Sequence, residues 1–564
     1  MSGGSYIIQR IREQAASSPS KTVFAEHKKD GIREISFHRY NEESDRLAAA
    51  VRRMGITTGD IVASYMPNGY DLNLLDLALM KAGAVHAALF PNYGRNELAQ
   101  VLPYCRPQLV VCGPGMFISN AVKVTQELAG GWMLACMGAS AQQVPDLVSL
   151  LQNETTPGST EPGLSDYYAV YLTSGTTGNV KGALVTHAAI SETVREMRNV
   201  FPLTEGSTSL SMAPFSVSSE RCLNYYYQCS GVAVHYPASM ESLIQTIASA
   251  RPSIFLTSPL FLEKVKKNVM DKRNLQSRSV KDRILNGAIA FALLNSRIRP
   301  YGKITSFRHF LYDRIVYKKI RGVLGGNVRY IMSGGASSNP ETLRFFWNMG
   351  IPVYEGYGMT ECHIIAVNKP GDENTLSGVG RPFGKTEIRV SDNGEIQCRS
   401  PYMFSQYLSL EEITRQSFTT DGYFRTGDIG TIDGRGFISV TGRIKTLFKS
   451  MSGIYINPES IEYFLMRSPA VAQAVVIGEN RPYLSAIILP SPEMGTAEVL
   501  DAVETQVKLF NSTRVEAEQI REYAITEAPF SVESGEMTSN QKLRRDVILK
   551  SRAELINSLY ENNS

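Results

Sequence analysis

The feature that most constrains the fold is an alternation of helical and strand periodicities that restarts several times along the chain. Between residues 34 and 114, a 3.6-residue apolar period from His38 to Met54 is followed by the run IVASYMP, a second helical stretch through Leu79, and the runs AVHAALFP and QLVVCGP. Such alternation reads as βαβ units, which place parallel strands between helices. The pattern resumes at YYAVYLTSG, SLSMAP, GVAVHYP, SIFLTSP and VRYIMSGG, each an apolar run that stops at Ser, Pro or Gly. Open α/β sheets take their ligands at such strand ends, so the site is expected there.

From about Ser377 the texture changes to short strands with Gly and Asp turns (GVGRPFG, EIRVSDNGEIQC, DIGTIDGRGFISVTGR), which predicts a small β-rich subdomain. A break follows from Thr441 to Lys445; beyond it a helical stretch from Asn457 to Arg467, the strands AVAQAVVIGE and YLSAIILP and a helical tail make an α+β lobe. The expectation is an α/β protein. A large N-terminal domain, residues 1–441, has parallel-rich sheets with helices and the β-rich subdomain over about 377–441, and a small C-terminal lobe covers residues 442–564. A length of 564 residues suits two or three domains.

Composition narrows the function classes. Hydrophobic residues at 43% and charged ones at 20% exclude a disordered or fibrous chain. The formal charge is +4, from 58 Lys and Arg against 54 Asp and Glu, which gives no global reason to expect nucleic acid. Seven cysteines with no CxxC or Cys/His spacing argue against a disulfide framework or a structural zinc site and suggest a reducing, cytoplasmic setting. The N-terminal apolar run is broken by Arg10 and Arg12, unlike a secretory signal. The longest apolar stretches are broken by Asp76 and Lys81 or are too short for the roughly 20 residues a bilayer needs. The charge is uneven, however. Residues 264–321, which begin with Lys264 and end with Arg321, hold sixteen Lys and Arg against three Asp and Glu, a balance of +13 that leaves the rest at −9. This is either a set of solvated helix faces or a docking surface for an anion: a phosphopantetheine carrier, the nucleotide end of coenzyme A, or peripheral contact with an anionic membrane.

The segment richest in chemistry is Tyr171-Leu-Thr-Ser-Gly-Thr-Thr-Gly-Asn-Val-Lys-Gly182. Glycines let backbone N–H groups approach closely, the hydroxyls of Thr173, Ser174, Thr176 and Thr177 donate to phosphate oxygens, and Lys181 adds a point charge, so the loop suits a polyphosphate. It is not a Walker loop, because no Ser or Thr follows Lys181 and the glycine spacing differs.

This run resembles the phosphate-binding loop of the adenylate-forming superfamily, which includes acyl-CoA synthetases, peptide-synthetase adenylation domains and firefly luciferase. Other signatures follow in the same order. Tyr354-Glu-Gly-Tyr-Gly-Met-Thr-Glu361 looks like the adenine and magnesium segment, Tyr423-Phe-Arg-Thr-Gly-Asp428 like the ribose-binding segment, and Gly442-Arg-Ile-Lys445 like the hinge. The resemblance covers nearly the whole chain and implies ATP, Mg²⁺ and coenzyme A as cofactor and co-substrates. It implies ATP or AMP contacts from Thr173, Ser174, Gly175, Thr176, Thr177, Gly178, Lys181, the backbone of Gly334, Gly335 and Ala336, then Glu355, Gly356, Tyr357, Gly358 and Thr360, with Asp428 on the ribose and Arg443 on the nucleotide. Tyr357 offers a ring on which adenine stacks, Thr360 a hydroxyl for the α-phosphate, and Glu361 a hard carboxylate for Mg²⁺.

Lys445 resembles the pivot about which the small, mobile lobe turns between the two half-reactions, and Lys449 and Gly453 lie on the thiolation side. In Gly535-Glu-Met-Thr-Ser-Asn-Gln-Lys-Leu-Arg-Arg545 the form is similar to that of long-chain acyl-CoA synthetases and assigns the catalytic lysine to Lys542, with Lys181 and Thr360 as the other catalytic groups. The stretch from Pro214 to Arg221 resembles the family's Pro-Leu-x-His-x-x-Glu-Arg, except that Val217 replaces the His; Val180 likewise replaces a Pro in the phosphate loop. Phe215, Val217 and Tyr226 are the candidate acyl pocket, though such aromatics also build ordinary cores. The implied activity is ATP-dependent joining of a fatty or related hydrophobic acid to a thiol through acyl-AMP. Loading of an acyl carrier protein in place of coenzyme A is the alternative, and a non-catalytic nucleotide-binding regulator the remote one.

Overall fold

The first helical stretch forms because its apolar residues share a face. Phe37–Arg53 buries Tyr40, Ser44, Leu47, Ala48 and Val51 at helical spacing, is capped by Ser36, whose Oγ accepts from Arg39 N at 3.3 Å, and ends on Arg52 and Arg53, which suit the negative end of the helix dipole. Helix Tyr70–Ala82 is instead buried nearly all round. Its two interior charges are both paired: Lys81 Nζ lies 2.8 Å from Asp45 Oδ1 and 2.9 Å from Asn41 Oδ1, and Asp76 meets Arg221 and His86. Buried charge is tolerated only with such partners. The helix stops at Gly83, whose φ of 78° puts it in the left-handed region.

The computed structural model describes residues 4–138, 144–152, 162–174, 180–204, 206–272, 279–294, 302–371, 376, 378–451, 454–468, 470–491, 496–512, 514–531, 533–538 and 543–561. They fall into two units: residues 1–387, 398–422 and 434–438, and residues 388–397, 423–433 and 439–564. The stretches expected as a β-rich subdomain thus contribute to both.

The first unit holds two sheets of the expected parallel kind. One runs Gln406–Tyr407, Val180–Thr186, Tyr167–Ser174, Val85–Ala88, Ile61–Tyr65, Leu109–Cys112, Met133–Cys136; its last five strands are parallel and the first two are antiparallel additions. The other has a parallel centre from Val353–Tyr357 through Tyr330–Ser333, Ile254–Thr257, Thr208–Leu210 and Ala233–Tyr236 to Thr22–Lys28, with antiparallel strands at both edges. Their apolar faces pack against helices, around Val110, Leu102 and Val124 for the first and Phe255, Ile289, Ile331 and Phe346 for the second. In the second unit the strands Val471–Ile477, Leu484–Pro490 and Ile520–Ile525 pack against helices Pro458–Leu465 and Thr496–Asn511 through Val476, Ile488, Leu465 and Val503. The seven cysteines are buried thiols. Among the described residues no helix is long and apolar enough to cross a membrane.

Candidate functional site

The two strands that flank the glycine-rich run are paired. Tyr167–Ser174 pairs antiparallel with Val180–Thr186, with Thr173 opposite Lys181 and Ser174 opposite Val180. Gly175, Thr176, Thr177 and Gly178 lie outside the described residues, as do Gly453 and Lys542. The base of the hairpin is fixed at Gly182, where a Cβ would come within 2.6 Å of Val170 Cγ2. Gly182 N donates to Tyr104 Oη at 2.9 Å, Tyr104 in turn donates to the Leu408 carbonyl at 3.0 Å, and Leu408 N donates to the Gly182 carbonyl at 2.7 Å.

These bonds bring the short strand Gln406–Tyr407 against the lysine strand. The Tyr407 hydroxyl donates to Glu361 Oε1 at 2.7 Å, and Lys181 Nζ lies 5.1 Å from the centre of the same ring. Burial and the Glu361 charge push the Tyr407 hydroxyl well above its ordinary range, so it remains a donor. The expected phosphate lysine and the expected metal carboxylate therefore share one tyrosine, a residue that no sequence motif marked.

Glu361 is turned inward by a tight loop. A Cβ on Gly358 would fall 1.9 Å from the His363 carbonyl oxygen, so only glycine fits there. Ile365 N donates to the Tyr357 carbonyl at 2.8 Å, His363 adopts φ 52°, and Phe404 N donates to the Glu361 carbonyl at 2.7 Å. Tyr357 and Thr360 are half-buried on this loop while the Glu361 side chain is buried. Among the described residues no three His, Cys, Asp or Glu gather as a metal cage. The donor present is the Glu361 carboxylate, a hard oxygen of the type that binds Mg²⁺ together with phosphates and water.

Gly334, Gly335 and Ala336 follow the strand Tyr330–Ser333, which lies parallel to Val353–Tyr357 with Ser333 opposite Glu355. A Cβ on Gly334 would sit 3.5 Å from the Gly356 carbonyl oxygen, so the two backbones approach closely at the strand ends. The Glu355 carboxyl is not offered outward: it accepts from Ser338 N at 2.8 Å, and burial raises it to about 7.

The second unit gathers its own set. Asp428 is buried, its Oδ1 lies 3.1 Å from Arg443 Nε, and its N–H donates to Thr426 Oγ1 at 3.1 Å. Gly427 has φ 70° and donates to Glu395 Oε1 at 3.1 Å. Lys445 lies exposed in a single 3₁₀ turn, Ile444–Thr446, and the exposed Lys449 has its Nζ 5.8 Å from the centre of the Tyr455 ring. Beside the segment of Lys542, Met537 pairs with Leu543 and Arg544 N donates to the Glu536 carbonyl at 2.8 Å. Hydrogen bonds from Arg552 and Ser551 hold Glu536 down to about 2.

The candidate acyl residues are only partly assembled. Val217 is half-buried and precedes the helix Ser218–Cys229, and Phe215 is buried with its ring 5.4 Å from the Arg221 guanidinium. That guanidinium also stands 4.8 Å and 5.3 Å from the Tyr168 and Tyr171 rings, so Phe215 is tied to the phosphate-loop strand. Tyr226 points elsewhere, donating to the Phe201 carbonyl.

Two features had no sequence signal. His363 donates from Nδ1 to the Tyr402 carbonyl at 2.8 Å, leaves Nε2 buried without a partner, and is pushed down by burial to about 4. Ser64, His86 and Asp76 form a serine–histidine–aspartate line, with Ser64 Oγ 2.7 Å from His86 Nε2 and His86 Nδ1 2.6 Å from Asp76 Oδ1. All three side chains are at most 1% exposed, and burial lowers His86 from its ordinary range against the pull of Asp76.

Comparison with known proteins gives a consistent picture. The AMP-binding enzyme family matches residues 11–408, and the AMP-binding enzyme C-terminal domain matches residues 447–564. The chain is 26% identical over 538 residues to the long-chain-fatty-acid–CoA ligase FadD15 of Mycobacterium tuberculosis, covering 90% of this chain and 89% of that one. It is 24% identical over 604 residues to the chloroplastic long-chain-fatty-acid–[acyl-carrier-protein] ligase AEE15 of Arabidopsis thaliana, covering 93% and 82%. Its fold matches the adenylation domain of a carboxylate reductase from Mycobacterium chelonae with a TM-score of 0.78 at 19% identity, over 98% of this chain and 91% of that one.

Proposed function

The chain belongs to the AMP-binding enzyme family, and from that premise we propose that it is an ATP-dependent acid–thiol ligase. It activates a fatty or related hydrophobic acid as acyl-AMP, releasing pyrophosphate, and then passes the acyl group to coenzyme A. The observation that carries this reading is the meeting of Lys181 and Glu361 on Tyr407 at the base of the phosphate hairpin. The similarity to FadD15 along nearly the whole of both chains supports a long-chain acid.

In the first half-reaction a carboxylate oxygen attacks the α-phosphorus, and the bond from that phosphorus to the oxygen bridging to the β-phosphate breaks. Negative charge builds on the departing pyrophosphate and on the α-phosphate oxygens. Lys181 and Lys542 neutralise it, and the Thr360 hydroxyl and the glycine-rich loop, Thr173 to Gly178, donate hydrogen bonds to the phosphates. Catalysis is then mostly positioning and fixed charge. Mg²⁺ bound at Glu361 would supply further neutralisation of the phosphates. Tyr357 stacks on adenine, beside backbone from Gly334, Gly335, Ala336, Glu355, Gly356 and Gly358. Asp428 accepts from the ribose hydroxyls, and Arg443 contacts the nucleotide. Phe215 and Val217 face the acyl chain in this reading, and Tyr226, turned to the Phe201 carbonyl, leaves that set.

In the second half-reaction the thiol gives up its proton, its sulfur attacks the acyl carbon, the bond from that carbon to the phosphate oxygen breaks, and AMP leaves. Adenylation wants a cation at the carbonyl and thiolation wants it withdrawn, which is the reason for a pivot at Lys445 and for assigning Lys449 and Gly453 to the thiol's side.

The similarity to AEE15 favours a second acceptor, the phosphopantetheine of an acyl carrier protein. The test is a panel of acids offered with ATP and either coenzyme A or a loaded carrier, reading the thioester formed. Acyl-CoA formation is expected; thioester on the carrier alone would move the reading to the second acceptor, and none with either would reject both. Lys542→Ala is expected to stop adenylation while sparing thiolation of supplied acyl-AMP, and equal loss of both would remove the role given to Lys542.

A further inference from the structure

The residues 303–323 run helically as Lys303–Tyr312, a π-helical turn Asp313–Tyr317 and Lys318–Val323. The first of these buries no residue at all. One side faces the protein: His309 Nε2 donates to the Asn348 carbonyl at 2.8 Å, and the Tyr312 ring lies 5.6 Å from that of Phe291. The opposite side is apolar yet exposed. Ile304, Phe307, Phe310, Leu311 and Ile315 fall on one stripe at helical spacing, with exposures of 80%, 62%, 56%, 40% and 44%. Single exposed apolar residues are ordinary, but a contiguous aromatic and aliphatic ridge on a surface helix is not.

The flanks of the ridge are basic. Lys303, Arg308, Arg314, Lys318 and Lys319 are exposed, and the single carboxylate between residues 303 and 323, Asp313, is held by Arg321 at 2.5 Å and 3.1 Å. The cations along the helix therefore face outward without a compensating acid on the same element.

We propose that this helix face docks on an anionic lipid bilayer. An interfacial helix inserts an apolar ridge to the depth of the headgroup and acyl boundary while lysine and arginine at its flanks meet lipid phosphates, and both halves of that pattern are present. The ridge is large-aromatic and flanked by exposed cations, which fits an interface that is apolar within and anionic at its surface. The docking is peripheral, since no described helix is long and apolar enough to cross a membrane.

Flotation of the full chain with vesicles tests this. Binding to phosphatidylcholine vesicles containing about 30% phosphatidylglycerol is expected, with little binding to phosphatidylcholine alone and weakening as salt rises. Lys318→Glu with Lys319→Glu should lower partitioning by more than about tenfold, at roughly fivefold per charge removed. Phe307→Ser with Phe310→Ser should lower it by at least about tenfold while thermal midpoint and acid-dependent exchange with a short, water-soluble acid stay unchanged. The proposal is overturned if the unaltered chain fails to float with anionic vesicles, if it binds neutral vesicles equally well, or if both paired variants bind as before. It is equally overturned if light scattering shows a dimer that only the phenylalanine variant loses, which would make a second copy the occupant. Flotation needs neither ATP nor acid, so its failure is distinct from failure of the ligase reading.

Discussion

Ser64, His86 and Asp76 stand in the order of an acyl-transfer triad, whereas Lys181, Tyr407 and Glu361 stand in no order that a motif records, yet the second set has the better claim to chemistry. Both lie in the first unit; hydrogen bonds under 3 Å join the triad and tie Tyr407 to Glu361, while Lys181 Nζ approaches the Tyr407 ring at 5.1 Å. They differ in what surrounds them. The triad is sealed: Arg221 Nε meets Asp76 Oδ2 at 3.0 Å, Tyr225 donates to the same carboxylate, and no side chain in the line reaches solvent. Burial opposes the charge on Asp76, but Arg221 and His86 overcome it and hold the carboxyl down to about 2. The second set is less sealed: Lys181 is half-buried, and Tyr407 and Glu361 keep 4% and 8% exposure. Triad spacing is thus poor evidence of function without access.

Asp76→Ala should have the largest effect, because it leaves the Arg221 charge buried and uncompensated; a loss of about 3–5 kcal/mol in stability to urea is expected. Unchanged stability with abolished activity would instead make the sealed set a site. Glu220, the neighbour of Arg221, sharpens the contrast within that interior. It has no cation partner among the described residues, accepts from Ser211 and Asn224, and is raised by burial to about 8. A carboxyl raised in the folded state binds its proton there after the unfolded chain has lost it, so its stabilisation is complete below the ordinary carboxylate range and is lost as pH rises towards 8. Over that window it should cost about 1.4 kcal/mol per pH unit, and Glu220→Gln should flatten the fall in thermal midpoint between pH 5.5 and 7.5. Asp76, being depressed, gives the opposite sign: its contribution is present above the ordinary range and lost only as pH falls towards 2. Tyr407→Phe should have the smallest effect. It keeps the ring under Lys181 and removes only the bond to Glu361, so kcat/KM is expected to fall about tenfold with a raised Mg²⁺ requirement, at a stability cost of about 1–3 kcal/mol. A fall in stability with an unaltered Mg²⁺ requirement would make Tyr407 merely structural.

Much of the architecture was legible because period and punctuation are local. The stretch from His38 to Met54 became helix Phe37–Arg53, and runs such as VRYIMSGG became a parallel strand ending at its glycines. What was not legible depends on distant contacts. Gln406 and Tyr407 are too few to read as a strand, and only their register with Ala183 and Leu184 puts Tyr407 beside Lys181 and Glu361. Lys81 and Asp76 read as breaks in an apolar run, and their partners lie on other helices and, for His86, on the strand Val85–Ala88. Tyr226, chosen for its proximity to Val217, turns to Phe201 because residues in a helix share a face only three or four apart.

The central claim, that acid activation runs through Glu361 and not through the sealed triad, is tested most directly by carboxylate-dependent exchange of labelled pyrophosphate into ATP, measured side by side for the unaltered chain, Ser64→Ala and Glu361→Gln. Equal exchange by the first two with a fatty acid, and a loss of roughly a hundredfold or more in Glu361→Gln, is the predicted result. Exchange that survives in Glu361→Gln, that fails in Ser64→Ala, or that is absent from the unaltered chain with every acid would contradict it.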